Sequence, residues 1–193
     1  MAKETRKQMI EHAALLFRSR GYGATGIRQI ATKAGAHRGV IYHHFPRGKT
    51  EVAEEVVTAT DNLVGAYIEA CCGAHEPVAA MRAITGGLEA VMGSGEYPPG
   101  CPVAAVTIGA DPGDETLHEM TSRAFARWQH AFRDCLLRDG TPDPTATTTA
   151  TLFIAAIEGA LVLCRAESST APLSRIADAM EPLLHAVRPS SGG

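Results

Sequence analysis

The stretch GYGATGIRQIATKAGAHRGVIYHHFPRGKTEV, residues 21–52, holds two short segments of helical periodicity divided by a glycine. In the first, Ile27, Ile30, Ala31 and Ala34 recur at spacings of three and four, while Arg28, Gln29 and Lys33 take the opposite side. That pattern predicts a helix over about 26–34, with Thr25 as its N-cap. Gly35 breaks it. A second short helix, about 37–44, ends before Phe45-Pro46, because a residue preceding proline disfavours the helical region. Two short helices joined by a three-residue turn containing glycine have the spacing of a DNA-binding helix-turn-helix.

The composition of the second helix fits a recognition helix. Its start must let the backbone approach the major groove, and donors must then face base edges and phosphates. Gly39 removes a side chain at that start, and Arg38 can donate a bidentate pair to guanine or a charged bond to phosphate. Tyr42 and His43 follow about one turn later. Val40, Ile41 and Phe45 are expected to face the neighbouring helices, and His44 to pack or cap. Lys49 begins the next helix, where its charge and the free amides of the N-terminus can hold one phosphate together. Thr25 and Arg28 are expected to do the same on the helix before.

Charge along the chain agrees. Residues 1–50 carry ten Lys or Arg against two Glu, a formal +8, whereas the remainder carries eight Arg against nineteen acids, a formal −11. A basic head on an acidic body suits a polyanionic partner at the head. No signal peptide precedes the charged start, and no apolar run approaches the ~18 residues of a membrane span, so no membrane partner and a cytoplasmic location are expected. Five cysteines, with Cys71-Cys72 adjacent, lack the spacing of a disulfide framework or a zinc site, and reduced buried thiols are expected. There is no HExxH, GxSxG or glycine-rich phosphate loop, which speaks against an enzyme and implies no metal and no cofactor.

Helical periodicity continues outward. Ile10, Ala13, Ala14 and Phe17 mark a first helix stopped by Gly21. A long helix is predicted from Lys49 to about Cys72, with Val52, Val56, Leu63, Tyr67 and Cys71 on overlapping faces. Others follow at 77–93, 103–110, 114–138 and 172–187, with a loop at 93–102. The segment 145–167 is so nearly uncharged that it is expected to be buried on most sides. The layout is all-α: a helix-turn-helix domain at 1–48, a larger helical domain at 49–188 and a loose tail at 189–193.

The 21–52 run resembles the DNA-binding domain of TetR-family transcriptional repressors, whose GxxxTxxxxIA-like second helix and AGVSxGxLYxHFxxKxxL-like continuation it matches in register. Gly21, Thr25, Ile30, Ala31, Tyr42, Phe45 and Lys49 carry the match. One departure is His37, which stands where the family usually has a small capping serine; histidine is a poor N-cap, so His37 is placed among the DNA contacts and bears on base preference. The stretch GCPVAAVTIGAD (100–111) is similar to the C-terminal domain of the LmrA/YxaF-type subgroup, associated with drug-efflux or flavonoid-responsive control.

The resemblance implies an all-α homodimer that binds double-stranded DNA and a small-molecule effector, acting as a repressor on a palindromic operator. The residues add support. Ala155, Ala156, Gly159 and Ala160 would allow close helix approach, and with Leu173, Ile176, Ala177, Met180 and Leu184 could form a dimeric four-helix bundle. An apolar or aromatic effector cavity would draw on Tyr67, Met81, Met92, Phe125, Trp128, Gln129, Phe132, Phe153 and Ile157. Each of these is also a plain core candidate. Glu158, a lone carboxylate in an apolar run, calls for a partner such as Arg165 or Arg123.

Overall fold

The computed structural model describes residues 2–95 and 99–188, apart from the side chains of Ala2, Lys3 and Arg38. The predicted tail at 189–193 and residues 96–98 of the predicted loop lie outside it. Among the described residues there are nine α-helices and no strand: α1 Ala2–Arg20, α2 Ile27–Lys33, α3 Arg38–His44, α4 Lys49–Ala74, α5 Pro77–Gly93, α6 Pro102–Gly109, α7 Glu115–Arg138, α8 Asp143–Glu167 and α9 Ala171–Val187. The all-α expectation holds.

The chain forms two compact units. One comprises residues 1–62 with 100–124, the other 63–99 with 125–193, so α4 and α7 each contribute to both. The first unit therefore holds α6 as well as the N-terminal helices.

In the first unit α1 buries Met9, Ala13, Leu16 and Phe17. The seam thus runs through Met9 and Leu16 rather than Ile10 and Ala14, one position round from the expected stripe. Tyr22 closes the end of α1 with its ring edge against Phe17 at 5.2 Å. Gly35 makes the turn between α2 and α3 at φ +64°, a left-handed conformation that costs glycine nothing. The amides of Gly35 and Ala36 donate back to Thr32 and Ala31, which ends α2 in the manner of a Schellman turn. Ile30, Ala31, Ile41 and Phe45 are fully buried and fasten α2 and α3 to the unit. Burial of each large aliphatic or aromatic side chain stabilises by about 1.5–3 kcal/mol.

In the second unit α9 packs on α5 and α8. Leu173, Ala177, Met180 and Leu184 of α9 are buried, and Arg82 of α5 pairs with Asp178 and Glu181 on α9's rim. On α8 the buried residues Ala146, Ala150, Phe153, Ile157, Ala160, Leu161 and Cys164 form one stripe. The expectation of burial on most sides was too strong, because Leu152, Val162 and Leu163 on the other face are exposed. Leu63 and Tyr67 of α4 are likewise exposed, while Val56, Ile68 and Cys72 face inward. An 18-residue window of α8 has a mean hydropathy of 1.7, long and apolar enough by composition to cross a membrane, contrary to expectation. With 44% of that window buried, the signal is equally that of a core helix.

Candidate functional site

The outward surface of α3 is assembled by what its inward residues do. With Ile41 and Phe45 locked in the core, helical spacing turns Gly39, Val40 and His43 together to solvent, and Tyr42 is 46% exposed beside them. Val40 was expected to face the helices; at 36% exposed it belongs to the outer face. The signal was present in the spacing, since Val40 lies three residues from His43. An exposed valine there can meet a thymine methyl group.

His37 is the N-cap of α3, extended at φ −66° and ψ 144°, and its side chain makes no capping hydrogen bond. The helix starts without a side-chain cap, and the imidazole is exposed. The backbone of Arg38 opens α3, but its side chain lies outside the described residues. His43 and His44 touch edge to face at 5.5 Å, and His44 leans on Phe45, so His44 packs as expected.

Thr25 departs from expectation. The N-cap of α2 is Gly26, and the Thr25 hydroxyl donates to Gly21 O at 2.8 Å in a site only 1% exposed. The cap is supplied from the other side, by Gln29, whose Oε1 accepts from the Gly26 amide at 3.1 Å. Glycine contributes no side chain, so only this returning half of a capping box exists. The Thr25 hydroxyl is committed internally and does not cap α2. Arg28 and Lys33 remain exposed on α2.

Lys49 stands at the N-terminus of α4 with its Nζ 4.0 Å from the centroid of the Tyr22 ring and 3.4 Å from Gly23 O. Burial lowers its hold on the proton. The neighbouring acids do not neutralise the surface unaided. Glu51 accepts from the Arg47 amide, Glu54 is gripped by Arg47 through two bonds of 2.5 and 2.6 Å, and Glu55 by Arg6 at 2.7 and 3.2 Å. The hydrogen bond from Arg6 to Glu55 raises the arginine's pKa. Each carboxylate at the foot of α4 is thus held by a cation or an amide.

The residues expected around an effector divide differently. Met81, Met92, Trp128, Phe132, Phe153 and Ile157 are buried; Phe132 and Phe153 stack with centroids 4.3 Å apart. Phe125 is half-buried with its ring 5.2 Å from Trp128, edge to face. Tyr67 is exposed and donates to Ala83 O at 2.8 Å, tying α4 to α5. A polar depression of about 330 Å³ lies between α7 and α8, lined by Gln129, His130, Arg133, Asp143, Thr147 and Ala150. Of the expected set it takes in only Gln129. Its cation is already engaged, because Arg133 pairs with Asp143 at 2.7 Å. Glu158 is half-buried rather than enclosed, and Arg123 pairs with Glu119.

Residues 9–56 match the family described as bacterial regulatory proteins, tetR family, and residues 77–179 match the transcriptional regulator LmrA/YxaF-like C-terminal domain. A helix-turn-helix-type transcriptional regulator of Mycobacterium tuberculosis is 32% identical over 189 residues, covering 95% of this chain and 96% of its own. The helix-turn-helix-type transcriptional regulator LmrA of Bacillus subtilis is 28% identical over 94% of this chain and 97% of its own. In fold, the chain is similar to a TetR-family transcriptional regulator from Agrobacterium tumefaciens, with a TM-score of 0.81 at 21% identity, covering 98% of this chain and all of that one.

Proposed function

The chain belongs to the TetR family of bacterial transcriptional regulators, with an LmrA/YxaF-like C-terminal domain, and from that premise we propose that this DNA-binding regulator is a homodimeric repressor released by a small aromatic or hydrophobic effector. It is a regulator and not an enzyme. The observation that carries the reading is the outer face of α3, where Gly39, Val40, Tyr42 and His43 are exposed while Ile41 and Phe45 fix the helix from behind.

In this reading α3 enters the major groove, Arg38 and His37 read or clamp its edge, and Arg28, Tyr42 and Lys49 hold phosphates. One such helix buries little surface. Two, related by a two-fold axis and about 34 Å apart, read an inverted repeat. The pairing surface is the exposed apolar face of α8 and α9: Leu152, Val162, Leu163 and Leu183, with Ala155 and Gly159 allowing close approach. A protein acting on chromosomal DNA works in the cytoplasm.

The effector reading assigns residues 49–188 to sensing and dimerisation and rests on the LmrA/YxaF-like domain together with the aromatic and methionine set on α5, α7 and α8. Because the aromatic core is packed in this state, effector entry requires it to open, with Tyr67, Phe125 and Gln129 at the accessible edge. The single helix α4 carries Lys49 near one end and Tyr67 toward the other, so a ligand that shifts α4 alters the phosphate clamp. Release follows only as far as the ligand prefers the non-binding conformation, typically by about 1–3 kcal/mol of coupling. The test is a screen of planar aromatic compounds for those that raise the thermal midpoint, each then added to the protein–operator complex. Release of DNA by the stabilising compounds supports the reading; stabilisation with unchanged operator occupancy for every such compound contradicts it.

A further inference from the structure

The second unit contains a feature that neither DNA binding nor effector sensing uses. Cys72 of α4 and Cys135 of α7 are buried thiols on two different helices, and the influence of each on the other shifts both from their ordinary pKa. Two hydrogen bonds cross the same seam. Cys135 Sγ donates to His75 O at 3.5 Å, and Arg138, one turn further along α7, donates to Cys72 O at 2.5 Å. Both cysteines sit in the last turn of their helices, since α4 ends at Ala74 and α7 at Arg138. Gly73, Ala74, His75 and Glu76, which follow Cys72 directly, are all exposed. Helix ends open far more readily than helix centres, so a small oxidant can reach thiols that are buried on average.

We propose that Cys72 and Cys135 are a reversible redox clamp, converted by hydrogen peroxide to a disulfide that fastens the end of α4 to α7 and alters operator affinity. The chemistry is divided between the two. The hydrogen bond from Cys72, with the Arg138 guanidinium nearby, lowers the Cys135 pKa, while donating that bond and being buried raise the Cys72 pKa. As a thiol Cys135 donates to His75 O; as a thiolate it accepts from Cys72. The Cys135 thiolate attacks a peroxide oxygen, forming a sulfenic acid and, with one proton, releasing water. The Cys72 thiol then attacks that sulfur, its own proton joining the departing hydroxyl as a second water. Two electrons pass from the sulfur pair to one peroxide, and a dithiol reductant reverses the step.

Of the five cysteines, Cys71 is the adjacent alternative and the control. The full-length protein is treated with hydrogen peroxide, and free thiols, tryptic peptides and operator affinity are measured on the same samples. Titratable thiols are expected to fall by two, and the peptide Asp134–Arg138 to appear joined to the one containing Cys71 and Cys72. The link persists in Cys71→Ser, vanishes in Cys72→Ser and Cys135→Ser, and is undone by dithiothreitol. Operator affinity changes severalfold in the wild type and Cys71→Ser but not in Cys135→Ser. An unchanged thiol count, or a link through Cys71, overturns the assignment. A Cys72–Cys135 disulfide that leaves operator affinity unaltered overturns its regulatory role. Operator binding by the reduced protein is measured first, so failure of DNA recognition is distinguishable from failure of the clamp.

Discussion

The ammonium of Lys49 rests 4.0 Å above the ring of Tyr22 while standing at the first residue of α4. The cation is held against an aromatic face, which in the proposed DNA-binding mode pre-positions it for phosphate at small entropic cost. Lys49→Met is expected to weaken operator binding roughly tenfold per half-site and to lower the salt slope by about one for each phosphate no longer neutralised. Titration of operator DNA by fluorescence anisotropy between 50 and 200 mM salt reads both. For the wild type, six to ten phosphate contacts imply a loss on the order of 10³-fold across that range.

Tyr42 and Gly48 form the next test. A Cβ at Gly48 would lie 3.7 Å from Tyr42 Cε1, and the glycine has φ +70°. Gly48→Ala is expected to cost about 1 kcal/mol or more, through strain in a conformation only glycine adopts freely. Tyr42→Ala, at a half-exposed position, should leave the thermal midpoint within a few degrees while reducing operator affinity about tenfold, with Tyr42→Phe between. Melting curves and anisotropy on the same samples separate the two effects.

Thr25→Ala should behave in the opposite way. Its hydroxyl satisfies Gly21 O in a buried site, so removal leaves that carbonyl short of a donor and costs about 1–2 kcal/mol of stability. Operator affinity of the folded fraction is expected to stay within about twofold. A large loss of affinity at unchanged stability would place Thr25 in the DNA interface.

These sites show what the sequence made legible and where it stopped. The helix-turn-helix was readable because glycine and proline punctuate it, and α5 was placed at 77–93 by a proline that tolerates the first turn. Thr25 misled because threonine is a good cap in isolation; the Gly21 carbonyl competes for its hydroxyl, and Gln29 caps from within. The apolarity of α8 was read as burial on most sides, yet composition cannot tell a face buried within the chain from one left exposed, as Leu152, Val162 and Leu163 are. Leu63 and Tyr67 were grouped by spacing with Val52, Val56 and Cys71 on overlapping faces, yet they are exposed where those three are buried. For the aromatic effector set the sequence left two roles open, core or cavity, because both use the same residues at the same spacing; Phe132 and Phe153 now pack on each other.

The exposed face of α8 gives a clear expectation. Val162 is 67% exposed, so Val162→Glu leaves the packing of the unit intact while placing a carboxylate in the proposed pairing surface. The variant should sediment as a folded monomer and lose operator binding by about 100-fold or more, since each half-site alone binds weakly. Leu161→Glu, on the buried stripe next to it, should instead unfold the protein. A dimeric Val162→Glu would place the pairing surface elsewhere.

Stability toward acid depends in part on Glu69, whose carboxyl the hydrogen bond from Arg127 at 2.8 Å holds below the usual carboxylate range. A depressed folded-state pKa means the contribution is present above the unfolded value and fades as pH falls through the folded one. Glu69→Gln should therefore lower the thermal midpoint at pH 7, by only about 1–2 °C for so exposed a pair, and not at pH 3.

The most direct measurement is selection of bound fragments from random double-stranded DNA by the purified protein at low salt. Enrichment of an inverted repeat with half-sites about one helical turn apart, lost in Arg38→Ala and in Tyr42→Ala, is the expected result. Failure to enrich any sequence, or enrichment that both variants retain, would contradict recognition through the outer face of α3.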